Sequence, residues 1–74
     1  MTKIPTDLSG RDLIRALEKV GFVVMRQRGS HIILRRNHPA ARVVVPDHKS
    51  LRVGTLRVIL NSAGMSVEDL LNLL

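Results

Sequence analysis

The amino-acid sequence predicts a two-layer α+β fold in which helices pack on one face of a three-stranded antiparallel sheet. Three observations support this prediction. A segment with helical periodicity lies near the start, three short β-rich segments follow it, and further helical segments close the chain. Because a chain of 74 residues buries only about 60% of its unfolded surface, we expect a single domain spanning residues 1–74.

The first helix is predicted to begin at Ser9, which has Asp12 at the spacing of a capping box. Its apolar face repeats with the helical period and consists of Leu13, Ile14, Leu17 and Val20. Gly21 is positioned to end this helix in a left-handed conformation. Residues 1–8, which show no clear period, are expected to form a leader strand or a frayed end.

Three strands follow, predicted at Phe22–Arg28, His31–Arg36 and Arg42–Val45. Gly29 and Ser30 fit a two-residue turn between the first two strands. The segment 37–41 is expected to be a loop. Pro46 is expected to end the third strand because it lacks the N–H group that a sheet ladder uses.

Side-chain alternation assigns the strand residues to two faces. The two-residue turn places Arg28 opposite His31, Arg26 opposite Ile33 and Val24 opposite Arg35. One face is then almost entirely apolar and should contact the helices: Val23, Met25, Ile32, Leu34, Val43 and Val45. The other face is left to solvent or a ligand and carries Arg26, Arg28, His31, Arg35 and Arg42.

Two helical segments close the chain. The longer one is predicted to begin at Gly54–Thr55 and to end at Gly64. Its apolar stripe consists of Leu56, Ile59, Leu60 and Ala63. Ser66 and Asp69 repeat the capping-box spacing and predict a short final helix.

The composition narrows the classes of function. Twelve Lys and Arg against six Asp and Glu give a formal charge of +6, which favours a polyanionic partner. Nucleic acid is the leading partner class, and an acidic protein partner would suit the same charge and is not exclusive of it. Phe22 is the only aromatic residue, which disfavours RNA readers that stack bases on aromatic rings. The absence of Cys excludes disulfides, a thiolate nucleophile and Cys-based zinc sites. No apolar run approaches a membrane span and no signal peptide is evident, so we expect a cytoplasmic protein without membrane contact.

His31 is the first candidate for chemistry. Cleavage of RNA needs a group that takes the proton of the 2′-hydroxyl, a group that protonates the departing 5′-oxygen, and cations for the phosphate. Imidazole can serve in either proton-transfer role near neutral pH. The arginines predicted on the same face could hold the phosphate, and no metal or other cofactor would be required. The alternative is a turn-flanking His that only caps or solvates a strand end.

The remaining polar candidates rank lower. Gly29 and Ser30 flank His31 and could contact a phosphate, although their ordinary role is to form the turn. His48 and Lys49 lie in the connection after the third strand and are second-tier candidates, with a solvated loop as the alternative. His38 is expected to be surface. The three His residues do not have metal-ligand spacing, so we expect no metal site.

Several short motifs occur together in order and spacing: Gly21-Phe22, Gly29-Ser30-His31, Val45-Pro46-Asp47-His48, Gly54-Thr55-Leu56 with Ile59-Leu60, and Ala63-Gly64. In these motifs the chain resembles the HicA family of bacterial and archaeal toxins, from about Ser9 to the last helix. The resemblance implies a fold like the double-stranded-RNA-binding domain. It also implies a metal-independent mRNA interferase in which His31, the His of Gly-Ser-His, is catalytic.

The same resemblance implies that a HicB-like antitoxin binds and neutralises the chain, and that contact with DNA is indirect, through the antitoxin. Two other classes stay open. The fold is also that of non-catalytic modules that bind duplex RNA by shape. A DNA-binding regulator is a further alternative, because the last two helices could form a helix-turn-helix, although the final one contains no Lys or Arg.

Overall fold

The protein is described by a computed structural model that covers residues 3–74. Its elements, in chain order, are α1 (Gly10–Glu18), β1 (Val23–Arg28), β2 (His31–Asn37), β3 (Ala40–Pro46), α2 (Val53–Ala63) and α3 (Val67–Leu73). The three strands form one antiparallel sheet in the order β1-β2-β3. The predicted α+β class and the order of elements are confirmed.

Both predicted capping boxes are present. The Ser9 hydroxyl accepts from the backbone N–H of Asp12 at 3.0 Å, and the Asp12 carboxylate accepts from the backbone N–H of Ser9 at 3.2 Å. Ser66 and Asp69 exchange the same pair of bonds before α3. These reciprocal bonds satisfy N–H groups that a helix start otherwise leaves without partners.

The apolar core lies between the helices and the inner face of β2 and β3. Ile32 and Leu34 of β2 and Val43 and Val45 of β3 are buried, as alternation predicted. They pack in one cluster with helix residues that include Leu13, Leu17, Leu56 and Leu60. This packing confirms the inner face for two of the three strands.

The prediction for β1 was wrong. Val23 and Met25 were expected to face the helices, yet they are 59% and 57% exposed. The pairing register shifts between Val24 and Arg26, so that Val23 and not Val24 lies opposite Arg35. An extra residue of this kind reverses the sheet face to which the preceding side chains of the strand point. In addition, α1 and α2 pack on β3, which leaves β1 at the uncovered edge of the sheet.

Leu8 is buried in the core and Ile4 packs against it, so residues 3–8 are neither a strand nor a frayed end. The carbonyl oxygen of Leu8 accepts from the backbone N–H of Leu51 at 2.8 Å, which fixes this segment to the connection before α2. Residues 1 and 2 lie outside the described part of the chain.

Two connections are tighter than expected. The predicted loop at 37–41 is a two-residue turn at His38–Pro39, because β2 continues to Asn37 and β3 begins at Ala40. β3 also includes Pro46, and the ladder continues beyond it, since the backbone N–H of Asp47 donates to the Ser30 carbonyl oxygen at 2.6 Å.

Within residues 3–74, no helix has the length and apolarity needed to cross a membrane.

Candidate functional site

The turn between β1 and β2 determines where His31 lies. Gly29 has φ +60°, whereas Ser30 does not have a positive φ, which is the pattern of a type II′ turn. A Cβ atom on Gly29 would meet nothing within 4 Å, so this position needs glycine for its backbone conformation and not for space. The turn sets Arg28 directly opposite His31.

His31 begins the central strand, on the strand face opposite the buried Ile32 and Leu34. Its side chain is exposed, and it makes no hydrogen bond or ion pair with any other residue in the described range. Its two neighbours across the sheet are Arg28 on β1 and Pro46 on β3. The imidazole is therefore open to a ligand.

Four arginines share this outer face by strand register. Arg28 lies opposite His31, Arg26 opposite Ile33, and Arg35 opposite Arg42. We call Arg26, Arg28, Arg35 and Arg42 the outer-face arginines. Among residues 3–74 none of the four side chains forms a hydrogen bond or ion pair, so their charges have no partner there.

Other arginines serve the fold. The Arg36 guanidinium donates to the carbonyl oxygens of Pro39 and Ala63 and lies 4.6 Å from the centre of the Phe22 ring. Arg36 is also on the opposite strand face from Arg35, because successive side chains alternate. Arg36 is therefore committed to packing, in contrast to the outer-face arginines.

The structure distributes the candidates between separate shallow clefts. A cleft of about 570 Å³ contains three of the four arginines, Arg26, Arg35 and Arg42. His31 lines a second cleft of about 390 Å³, whose other wall includes Gly54 and Thr55 of α2. Arg35 is four residue steps along β2 from His31, a distance of about 13 Å at 3.3 Å per residue. The imidazole and the Arg35–Arg42 pair thus occupy opposite ends of one face.

His48 lies on a segment that α1 holds in place. The Arg11 guanidinium donates two hydrogen bonds to the Asp47 carboxylate, at 3.2 and 3.1 Å. The backbone N–H of Gly10 donates to the His48 carbonyl oxygen at 2.9 Å. A Cβ atom on Gly10 would overlap the Pro46 carbonyl oxygen, so glycine allows this close approach.

The side chain of His48 is exposed and lines a third cleft with Pro46 and Thr55. Pro46 and Thr55 also line the cleft of His31, so the two clefts adjoin. Lys49 is exposed and lines neither of them. His38 lies at the other end of β2, in the turn that precedes β3.

Sequence reasoning did not identify Gly10, Arg11 or Thr55 as part of this region. Thr55 was interpreted as part of a helix start and of a family motif, without a role at the site. Gly10 and Arg11 act on residues about 36 positions away, as the Arg11–Asp47 pair shows. The one available signal was a glycine directly after the capping residue Ser9, where a better helix former would be expected.

The comparison with known families decides the classification. The family model described as the HicA toxin of bacterial toxin-antitoxin systems matches residues 10–65, which is most of the chain. The chain belongs to the HicA toxin family. No curated protein matches the sequence. The family resemblance expected from the sequence motifs is confirmed, and the matched range includes both His31 and His48.

Membership of this family makes the chain the toxin of a toxin–antitoxin pair, with an antitoxin as its partner. The alternative of a DNA-binding regulator gains no support from α3. This helix has seven residues, Glu68 and Asp69 in its first turn, and no Lys or Arg. A recognition helix needs positive charge toward the DNA, which α3 lacks.

Proposed function

We propose that this HicA toxin is an endoribonuclease that cleaves mRNA without a metal ion, with His31 as its catalytic residue. The observation that carries the proposal is the exposed His31 imidazole on a sheet face whose four arginines have no partner among residues 3–74. Unpaired guanidinium groups on one face supply what an RNA backbone requires, and an open imidazole supplies the proton transfer.

The chemistry uses a nucleophile that RNA already contains. The His31 imidazole takes the proton of the 2′-hydroxyl, and the resulting 2′-oxygen attacks the adjacent phosphorus. The bond to the 5′-oxygen breaks, which leaves a 2′,3′-cyclic phosphate and a 5′-hydroxyl end. Charge that builds up on the phosphate oxygens is stabilised by a nearby cation, for which Arg28 is placed best as the direct neighbour of His31.

The remaining outer-face arginines hold the RNA on one side of the reacting phosphate. Arg26, Arg35 and Arg42 line one cleft, about 13 Å along the strand from His31 at its far end. A single-stranded RNA several nucleotides long can span that distance along the face. Gly29 and Ser30, in the exposed turn beside His31, are then available as further backbone and hydroxyl contacts.

We further propose that the antitoxin is HicB-like and neutralises the toxin by covering this same face. The toxin carries a formal charge of +6, which favours an acidic partner surface and fast association. An antitoxin that pairs with the outer-face arginines removes the RNA-binding surface and closes access to His31. Contact of the toxin with DNA is indirect in this scheme and takes place through the antitoxin.

Induced expression of the wild type, His31→Ala and His38→Ala tests the proposal, together with incubation of the purified proteins with RNA in EDTA. The wild type and His38→Ala should arrest growth and cut RNA in the presence of EDTA, whereas His31→Ala should do neither while keeping its circular dichroism spectrum. Equal activity of His31→Ala and wild type would refute the catalytic role. RNA binding without cleavage by all three proteins would instead indicate a non-catalytic RNA-binding module.

A further inference from the structure

We propose that His48 is a second catalytic residue, the general acid that protonates the departing 5′-oxygen while His31 removes the 2′-proton. The inference rests on the endoribonuclease function proposed above and names a group that the reaction needs. It follows from strand register, from the way α1 holds the segment around His48, and from the adjoining clefts.

Register places His48 close to His31. The cross-strand partner of His31 is Pro46. The adjacent pair, Ser30 and Asp47, is a hydrogen-bonded pair, because the Asp47 N–H donates to the Ser30 carbonyl oxygen. His31 and Pro46 therefore form a non-hydrogen-bonded pair, with Cα atoms about 4.5 Å apart. His48 is two residues beyond Pro46, so its Cα lies within about 12 Å of that of His31.

Alternation directs the two imidazoles toward the same side. Asp47 binds Arg11 of α1, which shows that its side chain points to the helical layer. The ladder bond from Asp47 to Ser30 extends the strand pairing one residue beyond β3, and alternation along it places the residues next to Asp47 on the outer face. The shared lining agrees with this, because Pro46 and Thr55 border both the His31 cleft and the His48 cleft.

The backbone at His48 is held more firmly than an ordinary loop. Three backbone-level constraints act on three consecutive residues: the contact of Gly10 with Pro46, the hydrogen bond from Asp47 to Ser30, and the hydrogen bond from Gly10 to His48. The Arg11–Asp47 pair adds a fourth. Proton transfer requires a donor held within hydrogen-bond reach of its acceptor, and a fixed backbone provides this at little entropic cost.

Three other candidate groups cannot take this role. Arginine does not release its proton in proteins, so Arg28 can stabilise charge but cannot act as the acid. His38 lies seven residues from His31 along β2, about 23 Å away, and is out of reach. Asp47 is engaged by two hydrogen bonds from Arg11. Of the imidazoles in the chain, His48 is the one that can lie across a single phosphate from His31.

Two proton transfers accompany the exchange of bonds at phosphorus. One proton moves from the 2′-hydroxyl to His31 as the bond from the 2′-oxygen to phosphorus forms. A second proton moves from protonated His48 to the 5′-oxygen as the bond from that oxygen to phosphorus breaks. Afterwards His31 carries a proton and His48 has lost one, and exchange with water restores both for the next turnover.

The test uses a leaving group that needs no acid. An RNA that the wild type cleaves is synthesised in two forms, one normal and one with sulfur in place of the 5′-bridging oxygen at the scissile bond. A thiolate leaves without protonation because its pKa is far below that of an alcohol. Single-turnover rates are measured for wild type, His48→Ala, His48→Asn and His31→Ala, with folding checked by circular dichroism.

We expect both His48 variants to lose 10²-fold or more, on the order of a general-acid contribution, on the oxygen substrate and to cleave the sulfur substrate nearly as fast as the wild type. His31→Ala should be slow on both. The inference is overturned if the His48 variants cleave the oxygen substrate at the wild-type rate, if they are equally impaired on both substrates, or if His48→Asn restores activity. A wild type that cleaves no RNA refutes the endoribonuclease function itself, and the role of His48 falls with it.

Discussion

Arg11, in the first turn of α1, binds the carboxylate of Asp47 through two hydrogen bonds from Nε and Nη2, at 3.2 and 3.1 Å. The pair joins the helical layer to the end of β3, one residue before His48. Both side chains are partly exposed, so the pair should contribute little to stability. The pair instead fixes the position of Asp47, the residue directly before His48.

Arg11→Gln should therefore reduce RNA cleavage more than it reduces stability. We expect the free energy of unfolding to fall by at most about 1 kcal/mol, because exposed ion pairs rarely contribute more. Urea unfolding and single-turnover cleavage measure the two effects. Arg15→Gln is the matched control, since it removes another partly exposed pair of α1, with Asp12, that does not include the segment of His48. An equal loss of cleavage in both variants would contradict a positioning role for Arg11.

Gly10→Ala should destabilise the protein although alanine is the better helix former. The added Cβ would overlap the Pro46 carbonyl oxygen, and overpacking of this kind typically costs about 1–3 kcal/mol. Gly54→Ala is the matched control, because a Cβ there meets nothing within 4 Å and should stabilise α2 by about 0.4–1 kcal/mol. Urea unfolding of the two variants should give shifts of opposite sign. A stabilised Gly10→Ala would show that α1 does not approach β3 this closely.

Arg42→Gln should make the fold more stable and RNA binding weaker. Arg42 lies directly opposite Arg35, and like charges at opposed positions destabilise a sheet by about 0.2–1 kcal/mol. Loss of one phosphate contact should also make the negative slope of log affinity against log salt concentration less steep, by about 0.7 for single-stranded RNA. Thermal unfolding and binding across a salt series measure both. Arg57→Gln removes the same charge from α2 and should leave the salt slope unchanged.

Leu34→Ala and Met25→Ala should differ strongly in stability. Leu34 is fully buried, and its truncation should cost about 2–5 kcal/mol, whereas Met25 is 57% exposed and should cost less than about 0.5 kcal/mol. Chemical denaturation of the two variants compares them. Similar large losses would mean that β1 follows simple alternation and that Met25 packs under the helices.

Acid should weaken α1 through its capping box. The backbone hydrogen bond from Ser9 lowers the pKa of Asp12 below its usual 3.8, with help from the Ser9 hydroxyl and Arg15. A carboxyl group with a lowered folded-state pKa contributes stability above the unfolded-state value, and this contribution is lost as the pH falls through the folded-state value. The stability difference between wild type and Asp12→Ala should therefore be present at pH 6 and shrink below about pH 4. A difference that does not change with pH would refute the charged cap.

Local chemistry determined much of this fold. Ser9 with Asp12, Ser66 with Asp69, and the glycines at 21, 29 and 64 each act through bonds or backbone angles within a few residues, so their roles could be predicted without tertiary information. Alternation in β2 and β3 was also predictable from local pattern. Because side chains alternate between the two faces, only one pairing register places the apolar side chains of both strands on the buried face. The grouping of His31 with the outer-face arginines by strand register followed from that periodicity and from the two-residue turn.

Tertiary structure decided what depends on contacts between distant residues. The extra residue near Met25 and the uncovered edge at β1 reflect where the helices pack, which no local pattern specifies. The placement of His48 beside the His31 cleft depends on Gly10 and Arg11 meeting a segment about 36 residues later, and on α2 contributing Thr55 to both clefts. The sequence thus determined the elements and the chemical character of each face, while the close packing of α1 and α2 against β3 determined which groups lie next to His31.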